Sequence, residues 1–270
     1  MATLNQIETV LVTGASSGIG EAFARRLAGM GKDLVLVARS RETLEALARE
    51  LSEEHGIHTH VIVADLARPS AAQAVYAETE AMGWAVDLVI NNAGFSRAGE
   101  FTEIPLDTQA DMVRLNVSTV VELSRLYLPA MCERRRGGII QVASNAAFQP
   151  VPYMSVYAAS KAFVLRLSEA LAEEVRDDGV TIMALCPGAT ATGFWQVAGL
   201  WEGHQRWMHS PDLVVDVALR GFERRKLWVI PGPGYRLVAF LTSRVAPHRM
   251  VTRVVAWLVG GRPLLRRMPS

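Results

Sequence analysis

Only two cysteines occur in the 270 residues, Cys132 and Cys186, and they lie far apart without metal-ligand spacing. A disulfide framework and a cysteine metal site are thereby excluded, no metal is expected, and both thiols read as small buried residues in a reducing compartment. No apolar run reaches the ~18–20 residues that a spanning helix needs. Met1 to Glu8 contain neither a basic stretch nor an apolar one, so no secretory signal is read and the cytoplasm is the expected compartment. Low-complexity tracts, linkers and internal repeats beyond one strand–helix unit are also lacking. No RNA- or DNA-reading motif accompanies the cations, which removes nucleic acid from the expected partners.

Acidic residues are missing from one place in particular. Glu223 is the last of them, and ten cations follow it unopposed, from Arg224, Arg225 and Lys226 through Arg236, Arg244, Arg249 and Arg253 to Arg262, Arg266 and Arg267. Taking these ten from the 28 basic residues leaves 18 against 27 acidic ones up to Glu223, so the net charge of +1 describes neither part.

What is present is a chain half apolar and one-fifth charged, enough for a substantial core. Strand-like and helix-like segments alternate. Thr9–Thr13, Asp33–Ala38, Thr59–Ala64, Asp87–Ile90, Gly138–Ala143 and Val180–Leu185 read as strands. Between them lie helical stretches up to Met30 and over Arg41–His55, Ser70–Met82, Gln109–Arg134 and Ser155–Arg176. Apolar strands separated by helices predict a parallel sheet covered on both faces. The reading is α/β: one doubly wound domain over residues 1–270, with a sheet of about seven strands.

Tyr157 and Lys161 stand four residues apart, which on a helix places both side chains on one face. A neighbouring ammonium favours the phenolate, so this phenol is expected to ionise more readily and to exchange a proton near neutral pH. Far upstream, Thr13–Gly20 joins the first strand to the first helix as Gly-x-x-x-Gly-x-Gly. Glycines there permit a tight turn and close approach of backbone to a pyrophosphate, and the helix N-terminus offers free N–H groups. The second strand runs into Arg39 and Ser40, where an acidic residue would bind the ribose 2′-hydroxyl of NAD. A guanidinium and a hydroxyl suit a 2′-phosphate, which favours NADP; a solvated arginine at a helix start is the plainer alternative.

With these residues the chain resembles the short-chain dehydrogenase/reductase family. The matching motifs are Thr13–Gly20, Asp65-Leu66, Asn91–Gly94, Asn116, Ser144, Tyr157 with Lys161, and Pro187-Gly188 with Thr190 and Thr192, in family order. The resemblance implies an NADP(H)-dependent carbonyl reductase or alcohol dehydrogenase whose catalytic residues are Asn116, Ser144, Tyr157 and Lys161. Tyr157 would exchange the proton, Lys161 would hold the nicotinamide ribose and lower the tyrosine pKa, and Ser144 would hydrogen-bond the reacting oxygen. Asn116 would bend its helix around a water linked to Lys161, although a plain helix cap or kink also accounts for it. Gly14, Ser16, Ser17, Gly18, Ile19 and Gly20 would hold the phosphates, and Asp65 and Leu66 would border the adenine. Asn91, Asn92, Ala93 and Gly94 would line the riboses, while Pro187, Gly188, Thr190 and Thr192 would clamp the carboxamide. A homodimer or homotetramer is implied as well.

The segment after Gly188 is the expected substrate lid, residues 189–212, and it carries Phe194, Trp195, Leu200 and Trp201. Such a cover points to an apolar carbonyl or alcohol, or else to aromatics that pack the lid or meet a second subunit. His204 and His209 read as lid or surface histidines. Residues 235–270 form a basic extension with two helical stretches, Tyr235–Val245 and Pro247–Leu258. In the second, Arg249, Thr252 and Arg253 oppose Met250, Val251, Val254, Val255, Trp257 and Leu258. That pattern suits a membrane surface, a helix docked on the body, or another subunit. Two further classes of function fit parts of the pattern: a cofactor-binding sensor or scaffold on the same fold, and a partner- or membrane-surface protein acting through its basic tail.

Overall fold

Branched aliphatic runs build the sheet, because Val, Leu and Ile fill both faces of a pleated strand that is covered on both sides. The computed structural model describes residues 4–199 and 208–260. Its strands are β1 (Thr9–Thr13), β2 (Asp33–Ala38), β3 (Thr59–Val63), β4 (Val86–Asn91), β5 (Gly138–Val142), β6 (Thr181–Leu185) and β7 (Trp228–Val229). All pair in parallel, in the order β3-β2-β1-β4-β5-β6-β7.

Alternation along the strands feeds two separate cores. Val10, Val12, Leu34 and Leu36 face α1 (Gly18–Ala28), α2 (Arg41–His55) and α8 (Pro211–Glu223). Leu11, Val35, Val37 and Val89 face α3 (Ala71–Ala81), α5 (Thr119–Glu133) and α6 (Ser155–Glu174). The remaining helices are α4 (Leu106–Val113), the single turn α7 (Phe194–Val197), α9 (Pro233–Phe240) and α10 (His248–Gly260). No described helix is long and apolar enough to cross a membrane.

The doubly wound sheet expected from the sequence is the one observed, and β1, β2 and α2 fall on the expected bounds. Two differences matter. The helix expected over Gln109–Arg134 is three pieces: α4, a π-helical turn over Arg114–Ser118, and α5. An extra residue in that turn breaks the regular ladder and rotates Asn116 inward, where it is fully buried. The seventh strand and α8 had no counterpart among the segments read from the sequence. β7 spans two residues at the sheet edge, too few to show any periodicity. The α8 start is set by Ser210, whose hydroxyl accepts from the Leu213 amide at 3.3 Å, with Pro211 opening the helix.

Candidate active site

Strands β1 and β4 are neighbours although their chain connections leave in opposite directions, which opens a crevice at their carboxyl ends. Ser144 follows β5 and Tyr157 enters on the first turn of α6, so the two meet across this crevice. The Tyr157 phenol is buried beside Ser144. One turn on, Lys161 is buried too, its Nζ 5.8 Å from the centre of the Tyr157 ring and donating to the Val142 carbonyl at 2.8 Å. The neighbouring-ammonium expectation for the tyrosine is corrected here. Burial pushes Tyr157 up to about 12, with Ser144 pulling back only part of the rise. Burial likewise brings Lys161 down to about 8. Loss of water disfavours both charged forms, and in this cleft it outweighs their proximity.

Asn116 does not touch Lys161 directly. Its Nδ2 donates to the Phe95 carbonyl at 3.0 Å and to Ser160 Oγ at 3.2 Å, and its Oδ1 accepts from the Phe95 amide at 3.2 Å. Gly94 lies between the two side chains: a Cβ there would stand 2.9 Å from Asn116 Oδ1 and 3.3 Å from Lys161 Nζ. The missing side chain is what lets the β4 loop pass the lysine.

The crevice continues as a cavity of ≈ 1450 Å³ toward the α1 turn. A small-ligand pocket is typically ~300–1,000 Å³, so this one has room for a dinucleotide and a second molecule. Gly14, Ser16, Ser17, Gly18 and Ile19 line one end, with Arg39, Ser40, Asp65 and Leu66 beside them. Gly14 and Gly18 adopt left-handed φ of 64° and 60°. A Cβ on Gly20 would fall 2.2 Å from the Gly14 carbonyl oxygen, so its hydrogen allows α1 to close onto the turn. Thr13 Oγ1 accepts from the amides of Asn92 and Ala93, both at 2.9 Å, pinning the β4 loop to β1. Asn92 Nδ2 completes the join on the Thr13 carbonyl at 2.8 Å. Arg39 is exposed and forms no ion pair among the described residues, while Asp65 is engaged by Arg68 at 3.2 Å. At the opposite end Pro187, Gly188, Thr190 and Thr192 line the cavity with Ala93 and Gly94.

Two expected contacts are corrected. Asn91 does not line the cavity; it is buried and its Nδ2 donates to Gln141 Oε1 at 2.9 Å, because the two are register partners on β4 and β5 and project from the same face of the sheet. Gly20 also lies off the cavity wall and serves packing instead. The donors and the glycine cradle otherwise fit a dinucleotide, with its phosphates at the α1 N-terminus.

A family model described as short chain dehydrogenase matches residues 8–203. The chain belongs to the short-chain dehydrogenase family. It is 37% identical over 187 residues to a very-long-chain 3-oxoacyl-CoA reductase of Anas platyrhynchos, a match covering 67% of this chain and 59% of that protein. It is 33% identical to a 7beta-hydroxysteroid dehydrogenase of Collinsella aerofaciens, over 67% of this chain and 68% of that one. Among solved structures it is similar to a short-chain dehydrogenase from Sphingobium yanoikuyae in complex with NADPH, at 36% identity and TM-score 0.80, covering 89% of this chain and 98% of that one.

The short-chain dehydrogenase match stops at residue 203, but the cavity wall does not. The C-terminal extension docks on the body and walls the cavity's outer end. Tyr235 lies flat on Gly188, where a Cβ would be 2.4 Å from its ring carbons. Thr242, in a π-helical turn over Leu241–Val245, donates to Gln149 Oε1 at 2.8 Å. Val251 is buried, and Val255 and Val259 pack on the cluster of Met112, Val151, Met154 and Tyr157. Docking on the body was one of three readings of this amphipathic helix, and its inward seam fulfils it. Gln149, Val151 and Met154 had no signal in the sequence; only their position between Ser144 and Tyr157 foretold proximity to the site.

Of the expected lid residues, Phe194 packs on Tyr157 with ring centres 5.4 Å apart, and Trp195 Nε1 donates to the Thr190 carbonyl at 2.9 Å. Leu200, Trp201 and His204 lie outside the described residues. His209 is half-buried against Tyr235, with ring centres 5.3 Å apart, so it belongs to the packing beneath α9.

Proposed function

We propose that the protein is an NADP(H)-dependent carbonyl reductase acting on a bulky apolar ketone, with Ser144, Tyr157 and Lys161 as its catalytic residues and Asn116 as a positioning residue. The observation that carries this reading is geometric: Ser144, Tyr157 and Lys161 line one large cavity whose outer wall is apolar. Bound NADPH supplies the hydride. Tyr157 gives its proton to the carbonyl oxygen as that oxygen takes up the electron pair of the C=O bond, and the product is the alcohol. Ser144 hydrogen-bonds the same oxygen, and Lys161 stabilises the phenolate left behind. A tyrosine near 12 carries its proton at neutral pH, the form from which reduction starts.

NADP is favoured by Arg39 and Ser40 on the cavity wall after β2, a guanidinium and a hydroxyl placed for a 2′-phosphate. The Sphingobium relative was solved with NADPH. The apolar substrate class is favoured by the wall of Phe194, Val151, Met154, Val251 and Val255, and by relatives named for steroid and very-long-chain acyl substrates.

Tyr157→Phe tests the assignment. Turnover of bulky ketones, followed by NADPH absorbance, is expected to fall ~10²–10⁴-fold while NADPH binding by fluorescence stays intact. Retained turnover ends the proton-transfer role, and higher efficiency with NADH than with NADPH ends the cofactor assignment.

A further inference from the structure

We propose that the outer face of α9, the π-helical turn and α10 docks on an anionic lipid surface and sets the mouth of the cavity against the bilayer. The helix α10 has three faces rather than the two read from the sequence. Val251, Val255 and Val259 turn inward. At about 100° per residue, Met250, Val254, Trp257 and Leu258 form a second apolar strip beside that seam. All four are exposed, Trp257 by 63%. Arg249 and Arg253 form the third strip, directly next to Trp257, and both are exposed.

Upstream the pattern continues, with Phe240 58% and Val245 61% exposed. Of the twenty exposed large apolar side chains among the described residues, nine fall between positions 237 and 258, so this is a concentrated patch rather than ordinary surface scatter. Arg236, Arg244, Arg249 and Arg253 border it, and none forms an ion pair among the described residues.

Charge selects the occupant. A two-fold contact of this face with a second copy would bring two cationic patches together, with no acidic side chain after Glu223 to offset them. An anionic leaflet satisfies both strips at once: guanidinium groups reach the phosphates while Trp257 and its neighbours enter the headgroup boundary. Met250, Val254 and Leu258 also line the cavity. The docked strip is thus the rim of the entrance, so an apolar substrate passes from lipid to the cavity without crossing water. That consequence rests on the proposed substrate class, whereas the docking does not.

Co-sedimentation of the full chain with vesicles tests it, independently of turnover. Vesicles of phosphatidylcholine with about one-third phosphatidylserine are compared with pure phosphatidylcholine, at low and raised salt. The intact chain is expected to pellet with the anionic vesicles and to be released by salt. The double variant Arg249→Glu/Arg253→Glu is expected to bind at least ~25-fold more weakly, at ~5-fold per arginine. Trp257→Ser is expected to weaken binding as well. None of these three residues lines the cavity, so NADPH-dependent turnover in solution is expected to stay unchanged. The proposal is overturned if the intact chain stays in the supernatant or if the arginine variant binds as well as the parent. It is equally overturned if light scattering finds a dimer that Trp257→Ser dissociates, because a second copy then covers the face.

Discussion

The two ends of the cavity are built by different means. At the nucleotide end the shape is made by backbone: Gly14 and Gly18 in left-handed conformations, Gly20 against the Gly14 carbonyl, and Thr13 gathering the amides of Asn92 and Ala93. At the outer end it is made by side chains delivered from a distance. Val255, Val259 and Tyr235 come to rest on residues around Ser144 and Tyr157 that lie roughly a hundred positions earlier. A backbone cradle tolerates almost no change, because an added carbon meets an atom that cannot rotate away. A wall of aliphatic side chains accommodates change, since volume-conserving swaps repack at small cost. The nucleotide end is therefore the fixed part of this molecule, and the outer end is where substrate choice can vary.

The contrast is broken most severely if Gly20→Ala is tolerated. Its Cβ would sit 2.2 Å from the Gly14 oxygen and 2.6 Å from Asn92 Nδ2. The turn must then move, and a loss of about 3 kcal/mol in stability is expected, read by denaturant unfolding, along with weaker NADPH binding. Intermediate in size is the pH response of the proton donor where the two ends meet. The proposed reduction would use Tyr157 and Lys161 in their protonated forms, and Lys161 loses its proton first, at about 8, well below Tyr157 at about 12. The kcat/KM for NADPH, which reports the free enzyme, is expected to be flat through neutral pH and to fall about tenfold per pH unit above that point. A profile still flat at pH 10 would remove Lys161 from the proton-transfer unit. The smallest effect sharpens the picture of the outer end. Thr242→Val deletes the bond to Gln149, worth about 1 kcal/mol. KM for a bulky ketone is expected to rise ~5-fold while the NADPH dissociation constant is unchanged; an equal change in both would mean that the extension supports the whole fold rather than the substrate end.

Legibility followed the same division. Parallel strands, the glycine turn and the Tyr157–Lys161 step are short-range patterns, set by periodicity or by a fixed spacing, and the bounds of β1, β2 and α2 came directly from them. Asn91 misled because a loop motif names four consecutive residues, whereas only the pleat decides that the first of them points at Gln141. The tyrosine pKa misled for a related reason. Sequence spacing reveals the neighbouring cation, but the depth of burial that overrides it is a property of the packed cleft. In α10 the sequence showed an amphipathic helix without saying which apolar residues turn inward.

By itself the sequence determined the doubly wound sheet, the turn that receives a nucleotide, and the set of residues able to move a proton, since each depends on local geometry that a few neighbouring residues enforce. The tertiary structure alone decided that burial pushes the phenol's pKa up rather than down, that Gly20 packs rather than lines the cavity, and that the basic tail forms its outer wall. Those outcomes depend on which distant surfaces exclude water from one another, and no local pattern carries that information.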